Sequence, residues 1–271
     1  MKGRAVLIRS KMLPLLLWVL LLLMLWEALS WMLLHLLQVP LAQSKLPYLH
    51  ELASTFITYR GTLLQEGAVT WVNAGMGFVL GAAAGVVLAL LMSLSRWMEY
   101  AALPYAVASQ MIPVLGLAPI IYGIVRDEEI ARVLISGYIT FFPVAINMLR
   151  GLRSVSLSQL ELMASCAAKP WQIYWRLRLP ASLPALFSGL KIAAPLAVTG
   201  AILVELMGAR HGIGVLMLRN LYYGSSHVYM FWCTVIFSAL LGIMSYLLIG
   251  LIERAVAPWQ PEFRSRGGEK E

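Results

Sequence analysis

Six stretches of roughly 20 mainly apolar residues, each long enough to cross a hydrocarbon core about 30 Å thick, constrain this chain more than any motif in it. They run over Leu13–Leu37, Trp71–Met92, Ala101–Val125, Ala131–Leu149, Leu183–Met207 and Tyr229–Ile252. Backbone N–H and C=O groups have no water to bond in lipid, so segments of this kind are helical. With 60% hydrophobic and 13% charged residues, the chain departs from a soluble domain in the same direction. The expected fold is all-α, a polytopic membrane protein with about six transmembrane helices. Pro104, Pro113, Pro119 and Pro143 interrupt the third and fourth spans. Such breaks persist where neighbouring helices or a cavity satisfy the freed backbone groups.

Lys2, Arg4, Arg9 and Lys11 precede a first apolar run too long for a signal peptide, so it is read as an uncleaved helix. With the N-terminus inside, the inner segments also carry Arg96, Arg150, Arg153, Lys169, Arg176, Arg178, Arg254, Arg264, Arg266 and Lys270. The outer ones carry Lys45, Arg60, Arg126, Arg132, Arg210 and Arg219. The positive-inside rule then places both termini in the cytoplasm. The net charge of +8 lines the inner helix ends, where it meets anionic membrane lipid, and nucleic acid is not an expected partner. The organisation that follows is a tail, first helix and extracytoplasmic segment over 1–70, a core over 71–259 with a cytoplasmic loop at 150–182, and a cytoplasmic tail over 260–271.

That loop contains a polar, basic stretch, SQLELMASCAAKPWQIYWRLRLPASLPAL, from Ser158 onward. Ser158 and Glu161 have capping-box spacing, which starts a short helix reaching about Cys166. Ala167–Lys169 form a turn, and Pro170 suits the first position of a second helix. Trp171, Tyr174 and Trp175 recur at helical spacing beside Arg176 and Arg178, as in a segment seated at a membrane interface. Leu179-Pro180 is expected to end that helix. The reading is a cytoplasmic helix-turn-helix between spans 4 and 5.

Glu161, Ala167, Leu177, Leu179 and Pro180 are similar to the pattern E-x(5)-G-x(9)-I-x-L-P of the permease subunits of bacterial ABC importers, with alanine for glycine and leucine for isoleucine. FFPVAINMLRGL (Phe141–Leu152), GLKIAAPLAVTGAILVELMG (Gly189–Gly208), HGIGVL (His211–Leu216) and LLGIMSYLLIGLIERAVAPW (Leu240–Trp259) resemble the nitrate, sulfonate and taurine-type branch. That branch includes permeases for thiamine-precursor pyrimidines and riboflavin. The resemblance implies a subunit of the bacterial inner membrane that pairs with a second permease copy. It also implies a substrate received from an extracytoplasmic binding protein and a drive from two cytoplasmic ATPase subunits. Glu161, Ala164, Ala167, Ala168, Trp171, Leu177, Leu179 and Pro180 would form the ATPase-coupling element of an importer working by alternating access. The chain has no G-x-x-x-x-G-K-[ST] loop, so ATP is expected on the partner and no cofactor on this chain. Glu161 is either a capping carboxylate or a contact to the ATPase. Ala167 costs on the order of 1 kcal/mol if its φ is positive and little otherwise.

Ionisable groups inside spans are expensive and mark pathways or partners, which singles out Glu205, Glu27 and Lys191. Glu205 is placed in the outer part of the pathway, Glu27 as a pairing or protonated packing residue facing the bundle, and Lys191 as a group that snorkels to the inner surface. Glu253 is expected at the solvated inner end. Gln110, Pro113, Asn147 and Thr199 are further pathway candidates, or helix-to-helix hydrogen-bonding groups. Gly75, Gly77, Gly81, Ala82, Ala83, Ala84 and Gly85 make the second span a close-approach helix. Cys166, Cys233 and the four histidines have no disulfide or metal-ligand spacing, and no nucleophile-base constellation points to an enzyme. The rival reading is an ion-coupled secondary transporter using Glu27 or Glu205; it leaves the cytoplasmic element unexplained.

Overall fold

The structure, a computed structural model, describes residues 2–222 and 227–259; the tail assigned to 260–271 lies outside the described residues. It is helical from end to end. In order the elements are α1 (Lys2–Trp31), α2 (Ala42–Lys45), α3 (Leu49–Thr58), α4 (Arg60–Leu94), α5 (Arg96–Met111), α6 (Val114–Val125), α7 (Glu128–Leu152), α8 (Leu157–Ser165), α9 (Pro170–Ile173), α10 (Leu179–Glu205), α11 (Ile213–Tyr222) and α12 (Val228–Val256). Among the described residues, five helical segments are long and apolar enough to cross a membrane, or six when α5 and α6 count as one broken span.

The expected third span, Ala101–Val125, is not one straight crossing, because α5 and α6 meet at a 95° bend. Ile112 precedes Pro113 and takes the extended conformation that proline imposes on its predecessor, which stops α5 there. The fifth span also starts earlier than expected. Leu179-Pro180 does not end a helix: Leu179 is fully helical, and a π-helical turn over Tyr174–Arg178 joins α9 to α10. Pro180 thus lies inside the helical run, and the bond its missing N–H cannot make falls beside the π turn, where the helical ladder is already displaced. The result is a 36-residue helical run from Pro170 to Glu205.

The described residues form two compact units, one from 1–64 with 216–236 and one from 65–215 with the segment that starts at 237. In the first, one face of α1 clips the chain that follows it. Trp26 Nε1 donates to the Pro47 carbonyl, Ser30 Oγ to that of Leu46, and Glu27 Oε1 accepts the Leu49 N–H at 3.0 Å. Tyr48, the N-cap of α3, supplies no side-chain bond, so the Glu27 carboxylate caps that helix. Glu27 is thus a pairing residue.

The second unit is built on α7, which packs extensively against α10. Asp127 caps α7 by accepting from the N–H groups of Glu129 and Ile130. The small residues of α4 pack on the same helix. A Cβ on Gly77 would lie 2.5 Å from the Val133 carbonyl oxygen, one on Gly85 2.6 Å from that of Phe141, and one on Gly81 inside the backbone of Gly137. Only hydrogen side chains admit backbones this close. Toward the end of α7 that leads to α8, Ala89, Met92, Met148, Leu149 and Leu152 form a buried cluster against which Tyr174, Leu179 and Leu186 pack. At the other end Ala118, Ala131, Ile135 and Val204 bring α6, α7 and α10 together.

Candidate functional site

The helix-turn-helix is present, with its first cap two residues upstream of the expected one. Ser156, not Ser158, is the N-cap of α8: its Oγ accepts the Gln159 N–H at 3.4 Å, and Gln159 Oε1 accepts the Ser156 N–H at 3.1 Å. Ser156-x-x-Gln159 and Ser158-x-x-Glu161 satisfy the same pattern, and the upstream pair takes the cap. Glu161 therefore does no capping and its carboxylate is exposed on α8.

Ala167 has φ +52°, a left-handed conformation. Its N–H donates to the Ala164 carbonyl at 2.9 Å, and the Ala168 N–H to that of Met163 at 3.1 Å. This pair of bonds is the Schellman closure of a helix end, whose left-handed position favours glycine. Alanine here retains the turn at the cost of Cβ crowding. Ala167→Gly should therefore stabilise the fold by about 1 kcal/mol, read as a rise in thermal midpoint in detergent.

The motif residues divide into a tip and a root. Glu161, Ala164, Ala167 and Trp171 are exposed, as are Leu157, Leu162 and Trp175, while Ala168 is half-buried. Leu177, Leu179 and Pro180 are half-buried, and Leu179 packs into the cluster around Met92 and Met148. Tyr174 Oη and Ser93 Oγ lie 2.6 Å apart, tying the π turn to α4. Arg153 forms a two-pronged ion pair with Glu99, tying the end of α7 to α5. From Pro170 onward, α9, the π turn and α10 follow one another with no loop between them.

Glu205, the last residue of α10, is 0% exposed. Thr70 Oγ1 donates to its carboxylate at 2.8 Å, the Gly214 N–H donates at 2.9 Å, and Arg132 Nε lies 3.5 Å away. Arg132, only 1% exposed, also faces Glu128 at 3.3 Å and donates from Nη2 to the His211 carbonyl at 2.8 Å. The Ile213 N–H donates to Thr70 Oγ1, and the Gly212 N–H to Glu66 Oε2 at 2.6 Å. Gly212 has φ +122°, and a Cβ there would strike the Glu205 carboxyl group. Glu205 thus anchors the HGIGVL loop to α4, α7 and α10.

Of the other intramembrane groups, Lys191 does not snorkel. Its Nζ sits 2.5 Å from Glu253 Oε2, and Glu253 is 2% exposed, not solvated. A charge inside a bundle finds a partner when one faces it. The remaining pathway candidates are scattered. Gln110 and Pro113 are exposed beside the α5–α6 bend, and Asn147 is half-buried and donates to the Pro143 carbonyl at 2.7 Å. Thr199 is exposed on α10 and lines an open cavity of about 430 Å³ with Pro195, Val198, Ser238, Gly242 and Tyr246.

Residues 77–258 match the family model described as binding-protein-dependent transport system inner membrane component. The formylaminopyrimidine transport permease protein ThiX of Halalkalibacterium halodurans is 34% identical over 68% of this chain and 73% of its own. The aliphatic sulfonates transport permease protein SsuC of Bacillus subtilis, itself a putative assignment by name, is 25% identical over 75% and 73%. Among solved structures, an amino acid ABC transporter chain superposes with a TM-score of 0.62 at 16% identity, covering 74% of this chain and 97% of that one. A chain of the inward-facing MetNI methionine ABC transporter gives 0.54 at 22%, covering 72% and 96%. At these identities the two structures speak for the fold alone.

Proposed function

Because this chain belongs to the family of binding-protein-dependent transport system inner membrane components, we propose that it is the permease of an ATP-driven importer that carries a small organic or oxyanionic solute into the cytoplasm. Two copies form the translocation unit, with both termini and the α8–α9 element in the cytoplasm. A binding protein delivers the solute from outside, and two ATPase subunits hold and hydrolyse ATP. Their closure moves the α8–α9 tips, and the continuous run from Pro170 to Glu205 reorients the core, alternating access between the two sides. Glu161, Ala164, Ala167, Ala168 and Trp171 meet the ATPase, and Leu177, Leu179 and Pro180 root the element. Gln110, Pro113, Asn147 and Thr199 line the path, and Glu205 holds its outer end.

The observation that carries this reading is the exposed turn closed by a left-handed Ala167 and joined without a loop to a membrane-length helix. A secondary transporter would need Glu27 or Glu205 free to load an ion. Both instead accept hydrogen bonds from backbone N–H groups. The solute classes follow from relatives named for formylaminopyrimidine, sulfonates and nitrate.

In proteoliposomes containing the permease with its ATPase, uptake of labelled formylaminopyrimidine or an alkanesulfonate should require ATP and a binding protein. A tenfold or greater difference, on the order of 1.4 kcal/mol in coupling, separates driven uptake from leak. Uptake driven by a proton or sodium gradient without the ATPase would contradict the proposal.

A further inference from the structure

A cavity of about 490 Å³ lies between α5, the end of α7, the loop leading into α8, and the π turn. Nothing in the coupling role requires it. Its walls divide by chemistry: Met92, Leu152, Val155 and Leu160 are apolar, whereas Ser93, Arg96, Arg153 and Arg178 offer hydrogen-bond donors. Glu99 is the one carboxylate among them, and it is engaged by Arg153. Arg96 and Arg178 form no salt bridge among the described residues, so the cavity keeps two cationic groups without a salt-bridge partner.

Two further observations point to a ligand and to its kind. Ser95, the N-cap of the 16-residue α5, makes no side-chain cap bond, so the helix end that carries Arg96 has no cap from it. A helix N-terminus and an arginine together favour an anion, above all a phosphate. Trp97 and Tyr100 on the same turn are 77% and 74% exposed, and Tyr100 also lines the cavity. Amphipathic rings of this sort sit at the headgroup level of a bilayer.

We propose that this cavity binds the phosphate headgroup of an anionic phospholipid, with Arg96 and Arg178 on the phosphate and the acyl chains leaving past Trp97 and Tyr100. Basic pockets between helices at the cytoplasmic face have the chemistry to hold such headgroups. Because Val155 and Leu160 belong to the coupling element and its approach, a bound lipid would buttress that element from beneath. The inference rests on the cytoplasmic placement proposed above. Its test does not depend on transport, so a protein that retains lipid but imports nothing separates the two.

The test is native mass spectrometry of the purified chain titrated with phosphatidylglycerol in detergent. The unaltered protein should retain one lipid with preference over phosphatidylcholine, and Arg96→Gln with Arg178→Gln should weaken that retention by about tenfold or more. Arg150→Gln with Arg176→Gln removes the same charge from the same region outside the cavity and should leave the retained lipid in place. Glu99→Gln frees Arg153 and removes the carboxylate from the cavity, so it should tighten retention, a gain no misfolded variant can give. Equal loss from both arginine pairs would overturn the site, as would no tightening in Glu99→Gln. Displacement of the lipid by millimolar inorganic phosphate would reassign the cavity to a soluble anion and overturn the lipid.

Discussion

Gly81→Leu should yield almost no folded protein, whereas Gly75→Ala should be tolerated. Both positions are in α4, and alanine is favoured over glycine in a helix by about 1 kcal/mol, so local propensity cannot separate them. Their surroundings do. A Cβ at Gly75 meets nothing within 4 Å, but one at Gly81 would enter the backbone of Gly137 on α7. Backbone cannot change rotamer to make room, and overpacking commonly costs about 1–3 kcal/mol even where side chains can shift. Leucine adds three more carbons to the overlap, so α4 must leave α7, the helix on which the second unit is assembled. Monodisperse recovery in detergent and the thermal midpoint should rank Gly75→Ala at or above the unaltered chain, Gly81→Ala below it, and Gly81→Leu last.

Glu205→Ala should destabilise the fold by about 3 kcal/mol, the cost of breaking a buried pair and leaving one charge behind. Arg132 would keep Glu128 at 3.3 Å, which offsets part of the loss, while Thr70 and the Gly214 N–H would lose their acceptor. Replacing both partners, as Glu205→Leu with Arg132→Met, should recover part of that stability because no buried arginine is left unpaired, while the partly exposed Glu128 loses Arg132 but keeps the Arg210 N–H. Thermal unfolding of the three variants in detergent measures this directly. The single variant should also expose the HGIGVL loop to trypsin at Arg210, since the loop's anchor is gone. If the double variant is as unstable as the single one, the carboxylate does more than neutralise Arg132.

The helices were legible because length and apolarity alone decide what can cross a bilayer, and the coupling element because its turn, aromatic and basic residues occupy one contiguous segment. The misplaced cap shows where local pattern runs out. Ser156-Gln159 and Ser158-Glu161 overlap in sequence, and only the three-dimensional start of α8 chooses between them. The bend at Ile112-Pro113 was signalled by the proline, though its 95° was not. Pairings between distant residues were out of reach: Glu205 with Arg132 and Lys191 with Glu253 join separate helices, and nothing local to Lys191 says that a carboxylate faces it. The glycine face of α4 was readable as a contact surface, but its partner α7 was not.

In the proposed importer, the turn at Ala167 transmits ATPase motion into α10. The direct measurement is ATP hydrolysis by the reconstituted complex, with co-purification of the ATPase, for Ala167→Trp against Ala167→Gly. Glycine fits the left-handed turn and should couple at least as well as alanine. Tryptophan overfills a turn that must enter a partner groove, costing about 1–3 kcal/mol there while leaving the membrane spans untouched. The account expects Ala167→Trp to insert normally, lose most co-purified ATPase and lose substrate-stimulated hydrolysis. An Ala167→Trp protein that retains the ATPase and hydrolyses ATP at the unaltered, substrate-stimulated rate would contradict it.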